Sequence, residues 1–108
     1  MQVIFTPLAL RQIDDLHRYI SENSGDAIAD GYIGRIVAHC TRFDLFPERG
    51  TRRDDILPGL RIIGFERRLT IAFVVTPETV LIEGLFYGGQ DIETKLKNER
   101  VWDKPVSG

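Results

Sequence analysis

Soft metal ligands are scarce in this chain: one cysteine, Cys40, and two histidines, His17 and His39, stand among 108 residues. A single thiol makes no internal disulfide, and one thiol with two imidazoles falls short of the four-ligand set of structural zinc. Long hydrophobic runs are missing as well. No stretch approaches the ~18 apolar residues of a membrane span, and Met1–Leu10 has neither the basic start nor the long apolar core of a secretory signal. A cytoplasmic protein with no membrane association is expected. Nor does one sign of charge dominate: 14 basic against 16 acidic residues give a net charge of −2 and a sequence pI near 5.6. That balance excludes a general nucleic-acid binder, whose affinity comes largely from phosphate neutralisation.

What the chain does contain is enough apolar material to fold. Leu, Ile, Val and Phe together supply 35 of the 108 residues, well above the roughly 20% below which a charged chain stays disordered. The length suits one domain over residues 1–108. Six of its arginines (49, 52, 53, 61, 67, 68) cluster between Glu48 and Arg68 against four acids, so this segment carries +2 while the remainder carries −4. A mixed run of this kind reads first as a solvated face.

Val3-Ile4-Phe5 is a short β-prone run, and Thr6-Pro7 supplies an N-cap hydroxyl followed by proline in the first helical turn. Ala9, Ile13, Leu16 and Ile20 then recur on one helical face as far as Ser24. Gly25 closes that helix, Asp26 is placed to cap another, and Ala29, Ile33, Ile36, Cys40 and Phe43 form a second stripe before Pro47. The pattern predicts an αα-hairpin, with Gly31 and Gly34 admitting close helix approach and Cys40 a buried, inert thiol. Off the stripes, His17 and His39 should be solvated. Residues 47–58 lack periodicity and read as a surface loop in which Asp54 and Asp55 anchor to neighbouring arginines. Leu60–Phe65, Leu69–Val75 and Val80–Tyr87 read as an antiparallel meander, with Val80, Ile82 and Phe86 sharing a face. Asp91 can cap a short helix from Ile92 to about Asn98, and residues 101–108 form a loosely ordered tail. The expected fold is α+β. The αα-hairpin lies across one face of a twisted, antiparallel-rich sheet, and Ile13, Leu16, Ile36, Cys40, Phe73 and Ile82 share one core.

The order β-α-α-β-β-β, taken with Phe46-Pro47-x-x-Gly50, Arg53-Asp54-Asp55-Ile56-x-Pro58-Gly59-Leu60-Arg61, Ile71-x-Phe73 and Tyr87-Gly88-Gly89-x-Asp91, resembles the RelE/ParE toxin superfamily of type II toxin–antitoxin systems, with the ParE, or plasmid-stabilisation, branch nearest. The resemblance spans residues 2–97. It implies a toxin neutralised by a ParD-like antitoxin, reaching operator DNA only through that antitoxin, and needing no cofactor. For the ParE branch the implied target is DNA gyrase; the alternatives are a RelE-like ribosome-dependent mRNA endonuclease and an inactivated relative that only binds antitoxin.

RNA cleavage by a 2′-hydroxyl needs a proton acceptor, a proton donor and cations for the phosphate. Carried over from the nuclease branch, Arg61, Arg68 and Tyr87 are the candidates, with Arg61 and Arg68 expected as cross-strand or diagonal neighbours close to Glu66. Two further basic positions fall on Ile63 and Gln90, which supply neither charge nor a suitable donor. Tyr87 also reads as a core-closing ring at a strand end. The sequence therefore favours a gyrase poison, which requires a fitting surface and no catalytic residues.

Overall fold

Thr6 turns the chain from strand into helix. In the computed structural model, which describes residues 1–103 and their side chains through Asn98, its hydroxyl oxygen accepts from the Ala9 amide at 3.2 Å and donates to the Glu83 carbonyl at 3.1 Å. One side chain thus caps a helix and ties it to the sheet. The elements are β1 (Gln2–Phe5), α1 (Pro7–Ser24), α2 (Asp26–Thr41), β2 (Thr51–Arg52), β3 (Leu60–Phe65), β4 (Leu69–Val75), β5 (Thr79–Tyr87) and α3 (Ile92–Asp103). Helix α3 runs beyond the expected Asn98, so 101–103 are helical, while 104–108 of the expected tail lie outside the described residues.

The sheet order is β1-β5-β4-β3-β2. β3, β4 and β5 form the expected antiparallel meander, and β1 joins its far edge parallel to β5. β2 falls within the stretch expected to be all loop: Thr51 and Arg52 pair antiparallel with Ile62 and Arg61. Its two exposed polar residues carry no alternating apolar signal, and the pairing arises because Gly50 brings the main chain against β3.

Helices α1 and α2 cover one sheet face. Leu16, Ile36, Cys40, Phe73 and Ile82 lie in a single buried cluster there, with Ile13 packed against it, as the helical stripes require. Burial pushes the Cys40 thiol up to about 12, which leaves it protonated and inert. The opposite face holds a second cluster of Leu8, Ile56, Leu60, Ala72, Phe86 and Leu96, so α3 and the loop before β3 complete a three-layer arrangement. Phe86 belongs to this second face, not to that of Val80 and Ile82. Ala72 pairs with Gly84 but Phe73 pairs with Ile82, leaving Glu83 as an extra residue in β5. That bulge reverses the alternation and turns Leu85 and Tyr87 toward the helices.

Two further expectations are corrected. Among the described residues, a Cβ at Gly31 would meet only the Arg35 guanidinium, at 3.7 Å, and one at Gly34 would meet nothing within 4 Å. These glycines do not mark a helix crossing. His39 is half-buried and its Nε2 has no hydrogen-bond partner among the described residues, whereas the sequence predicts solvation. His17, also only half exposed, meets Asp30 of α2 at 2.7 Å.

Candidate functional site

The β3–β4 hairpin turns on Glu66 and Arg67, both in the left-handed region with φ of 46° and 69°. Arg35 of α2 donates from Nε to the Glu66 carboxylate at 3.1 Å, which ties this turn to the helix layer. The Arg68 carbonyl accepts from the Gly88 amide at 2.8 Å, and Leu69 is paired with Tyr87. Arg68 and Tyr87 therefore share one end of the sheet. The Tyr87 ring packs against the main core and lies 6.2 Å from the Tyr19 ring and 6.3 Å from that of Tyr32, in line with a core-closing role. Burial, followed by Tyr87 and Glu66, raises the Tyr32 hydroxyl above its ordinary value. Tyr32 was not singled out from sequence, although its placement one helical turn before Ile36 signals it.

Arg61 stands at the other end of β3. It is paired with Phe73, while Phe65 at the hairpin end is paired with Leu69. Four strand residues separate Arg61 from the hairpin, about 13 Å of chain. The expected neighbourhood of Arg61 and Arg68 does not form, because Arg68 sits where the hairpin closes and Arg61 where it opens. Arg61 instead donates from Nη1 to the Arg49 carbonyl at 3.4 Å. Ile63 packs against the main core under the helices, an apolar place that admits no proton-transfer group.

Arg52 grips Asp54 through Nε and Nη2 at 3.0 and 2.9 Å, and Arg53 grips Asp55 at 2.9 and 2.8 Å. Asp54 also accepts from the Gly59 amide at 2.8 Å. The Arg52 fork, the Gly59 amide and the Arg61 charge lower its carboxyl to about 2. These aspartates anchor the loop, as expected.

Beyond Tyr87, Gln90 and Asp91 open onto a cleft of about 630 Å³ between α1, the end of β5 and α3. Leu16, Leu85 and Phe86 line it together with Tyr19, and Asp15 and Lys95 flank it. Gln12 of α1 accepts the Leu85 amide at 2.7 Å, pinning α1 to β5 beside this cleft. Asp91 caps α3, accepting from the Thr94 amide at 3.2 Å and its hydroxyl at 2.7 Å.

On α2, the His39 ring lies 4.8 Å from that of Phe65 and 5.3 Å from that of Phe43. Burial, then Arg49 and Arg42, lowers its pKa. The Arg49 guanidinium covers Phe43 at 4.9 Å and Phe46 at 5.9 Å, although Phe46 remains 72% exposed and Leu45 64%. No helix among the described residues is long and apolar enough to cross a membrane.

This architecture has counterparts among known proteins. The chain aligns with 20% identity and a TM-score of 0.71 to a chain of a structure described as the chromosomal ParDE TA system from P. aeruginosa, covering 82% of this chain and 96% of that one. A curated relative, Toxin ParE3 of Caulobacter vibrioides, is 27% identical over 95 residues, or 88% of this chain and 94% of the relative. The family described as "ParE toxin of type II toxin-antitoxin system, parDE" matches residues 3–92. With its ααβ-sheet layering and that match over most of its length, the chain belongs to the ParE toxin family.

Proposed function

We propose that this protein is the toxin of a cytoplasmic type II module, neutralised by a ParD-like antitoxin and directed at DNA gyrase, with no catalytic step of its own. The observation that carries this reading is the separation of Arg61 from Arg68 and Tyr87 along β3. A cleaving site needs its proton acceptor, proton donor and cations around one phosphate. Here two candidates lie at one sheet end, the third at the other, and the intervening Ile63 packs against the core. A poison requires only a surface complementary to its target.

Neutralisation follows the same physical line. The cleft between α1, β5 and α3 suits apolar side chains of an amphipathic antitoxin segment that folds on binding. The near-neutral charge of the toxin leaves operator DNA to the antitoxin. DNA and protein synthesis are pulse-labelled side by side after induction without antitoxin, and purified gyrase is assayed for supercoiling with added toxin. The expected result is early loss of DNA synthesis, continued translation and inhibited supercoiling. Immediate translation arrest with mRNA cut on ribosomes would transfer the assignment to the nuclease alternative, and normal growth would transfer it to an inactivated relative.

A further inference from the structure

Among the described residues β1 ends the sheet, with β5 on one side and no strand on the other. The Gln2 and Thr6 amides donate to the Glu78 and Ile82 carbonyls at 3.1 Å each. Strand alternation aims Ile4 the same way, so the N–H and C=O groups of Val3 and Phe5 face outward from the edge. Natural sheet edges are guarded against further pairing by lysine, proline, bulges or a covering element. β1 has none of the side-chain guards. No charged side chain occurs before Arg11, the four strand residues pair with β5 without a bulge, and Ile4 is 40% exposed. Val3 and Phe5 pack toward the helices, which leaves Ile4 on the opposite sheet face.

We propose that a second copy of this chain pairs with the β1 edge, antiparallel about a two-fold axis at Ile4. The register is self-complementary. The outward groups belong to residues on either side of Ile4, so an antiparallel copy brings Val3 opposite Phe5 and Phe5 opposite Val3. Each pair exchanges both N–H···O bonds. Ile4 then meets its own counterpart at the central non-hydrogen-bonded position, where side chains approach most closely. A two-fold contact must match a surface to itself, and an edge without charged side chains meets no like-charge repulsion between them in doing so. The result is one sheet continuous through two molecules. With four strand residues on each side, the contact is small, and the dimer forms with a micromolar or weaker dissociation constant.

Sedimentation velocity of the purified chain, from low micromolar to submillimolar concentration, should show a monomer–dimer equilibrium. Amide hydrogen exchange supplies the local signature. Ile4 and Thr6 amides are protected at every concentration by β5, whereas those of Val3 and Phe5 gain protection only as the dimer forms. Ile4→Lys sets two ammonium groups against each other and should weaken the dimer about tenfold or more, while Ile4→Val retains it. If Ile4→Lys fails to fold, the exchange contrast in the unaltered chain decides. A monomer at all concentrations, a dimer in which Val3 and Phe5 amides exchange freely, or protection of those amides only by added antitoxin would each overturn the proposal.

Discussion

Gly50 is the position at which one methyl group should do most damage. Its φ is +76°, and a Cβ there would lie 2.3 Å from the Ile62 carbonyl oxygen, 3.0 Å from the Ile62 carbonyl carbon and 3.2 Å from the Ile63 Cβ. The obstructing atoms are the main chain of β3, so no rotamer change relieves the collision. Alanine in a left-handed conformation costs about 1 to 2 kcal/mol on its own. Moving residue 50 away also pulls on the pairing of β2 with β3 and on the Arg53–Leu60 main-chain bond of 2.7 Å. Losing two such bonds, at about 1 kcal/mol each, brings the expected cost of Gly50→Ala to about 3 to 4 kcal/mol. Gly88 is the internal control: its φ is +70°, but a Cβ there would meet nothing within 4 Å among the described residues. Gly88→Ala should therefore cost only the conformational part, about 1 to 2 kcal/mol. Urea unfolding of both variants gives the comparison through the midpoint at unchanged slope. Equal losses at the two sites would refute the argument from close approach.

Ile36 is fully buried in the main core, and Ile36→Ala should destabilise by about 2 to 5 kcal/mol in the same assay; a loss below about 1 kcal/mol would place it outside that core. His39 favours its neutral form in the folded state because burial, Arg49 and Arg42 oppose its charge. The unfolded chain, with a pKa of about 6.5 at this residue, binds more protons below that pH. The His39 contribution is thus complete above about pH 6.5 and is lost as the pH falls toward the lowered folded value. His39→Phe, which keeps a ring between Phe43 and Phe65, should flatten the fall in Tm between about pH 7.5 and 5.5; an unchanged slope would show that His39 is not its source.

The parts legible from sequence are those whose side chains repeat with a simple period. The α1 stripe from Ala9 to Ile20 and the alternation in β4 identify their buried faces directly. Alternation extended through Glu83 puts Phe86 on the wrong face, because a bulge is a property of two paired strands. His39 is different, since its signal was present: it lies three residues after Ile36 and four before Phe43, on the flank of the same stripe. Arg61 and Arg68 look close when the hairpin is read as a short loop, but β3 and β4 pair along their full lengths and carry Arg61 to the far end. Asp54 and Asp55 were readable because consecutive carboxylates beside consecutive arginines form local forks.

The parallel pairing of β1 with β5 sets a timetable for making the protein. Gln2–Phe5 leave the ribosome well before their register partners Thr79–Ile82, and the Thr6 hydroxyl bonds to Glu83, 77 positions later. Until that late segment emerges, the nascent chain holds a charge-free β-prone strand with no sheet to join. Closing so long a loop is slow compared with forming the α1–α2 hairpin. The hairpin can thus form during translation, whereas the sheet is completed only after Thr79–Tyr87 have been synthesised.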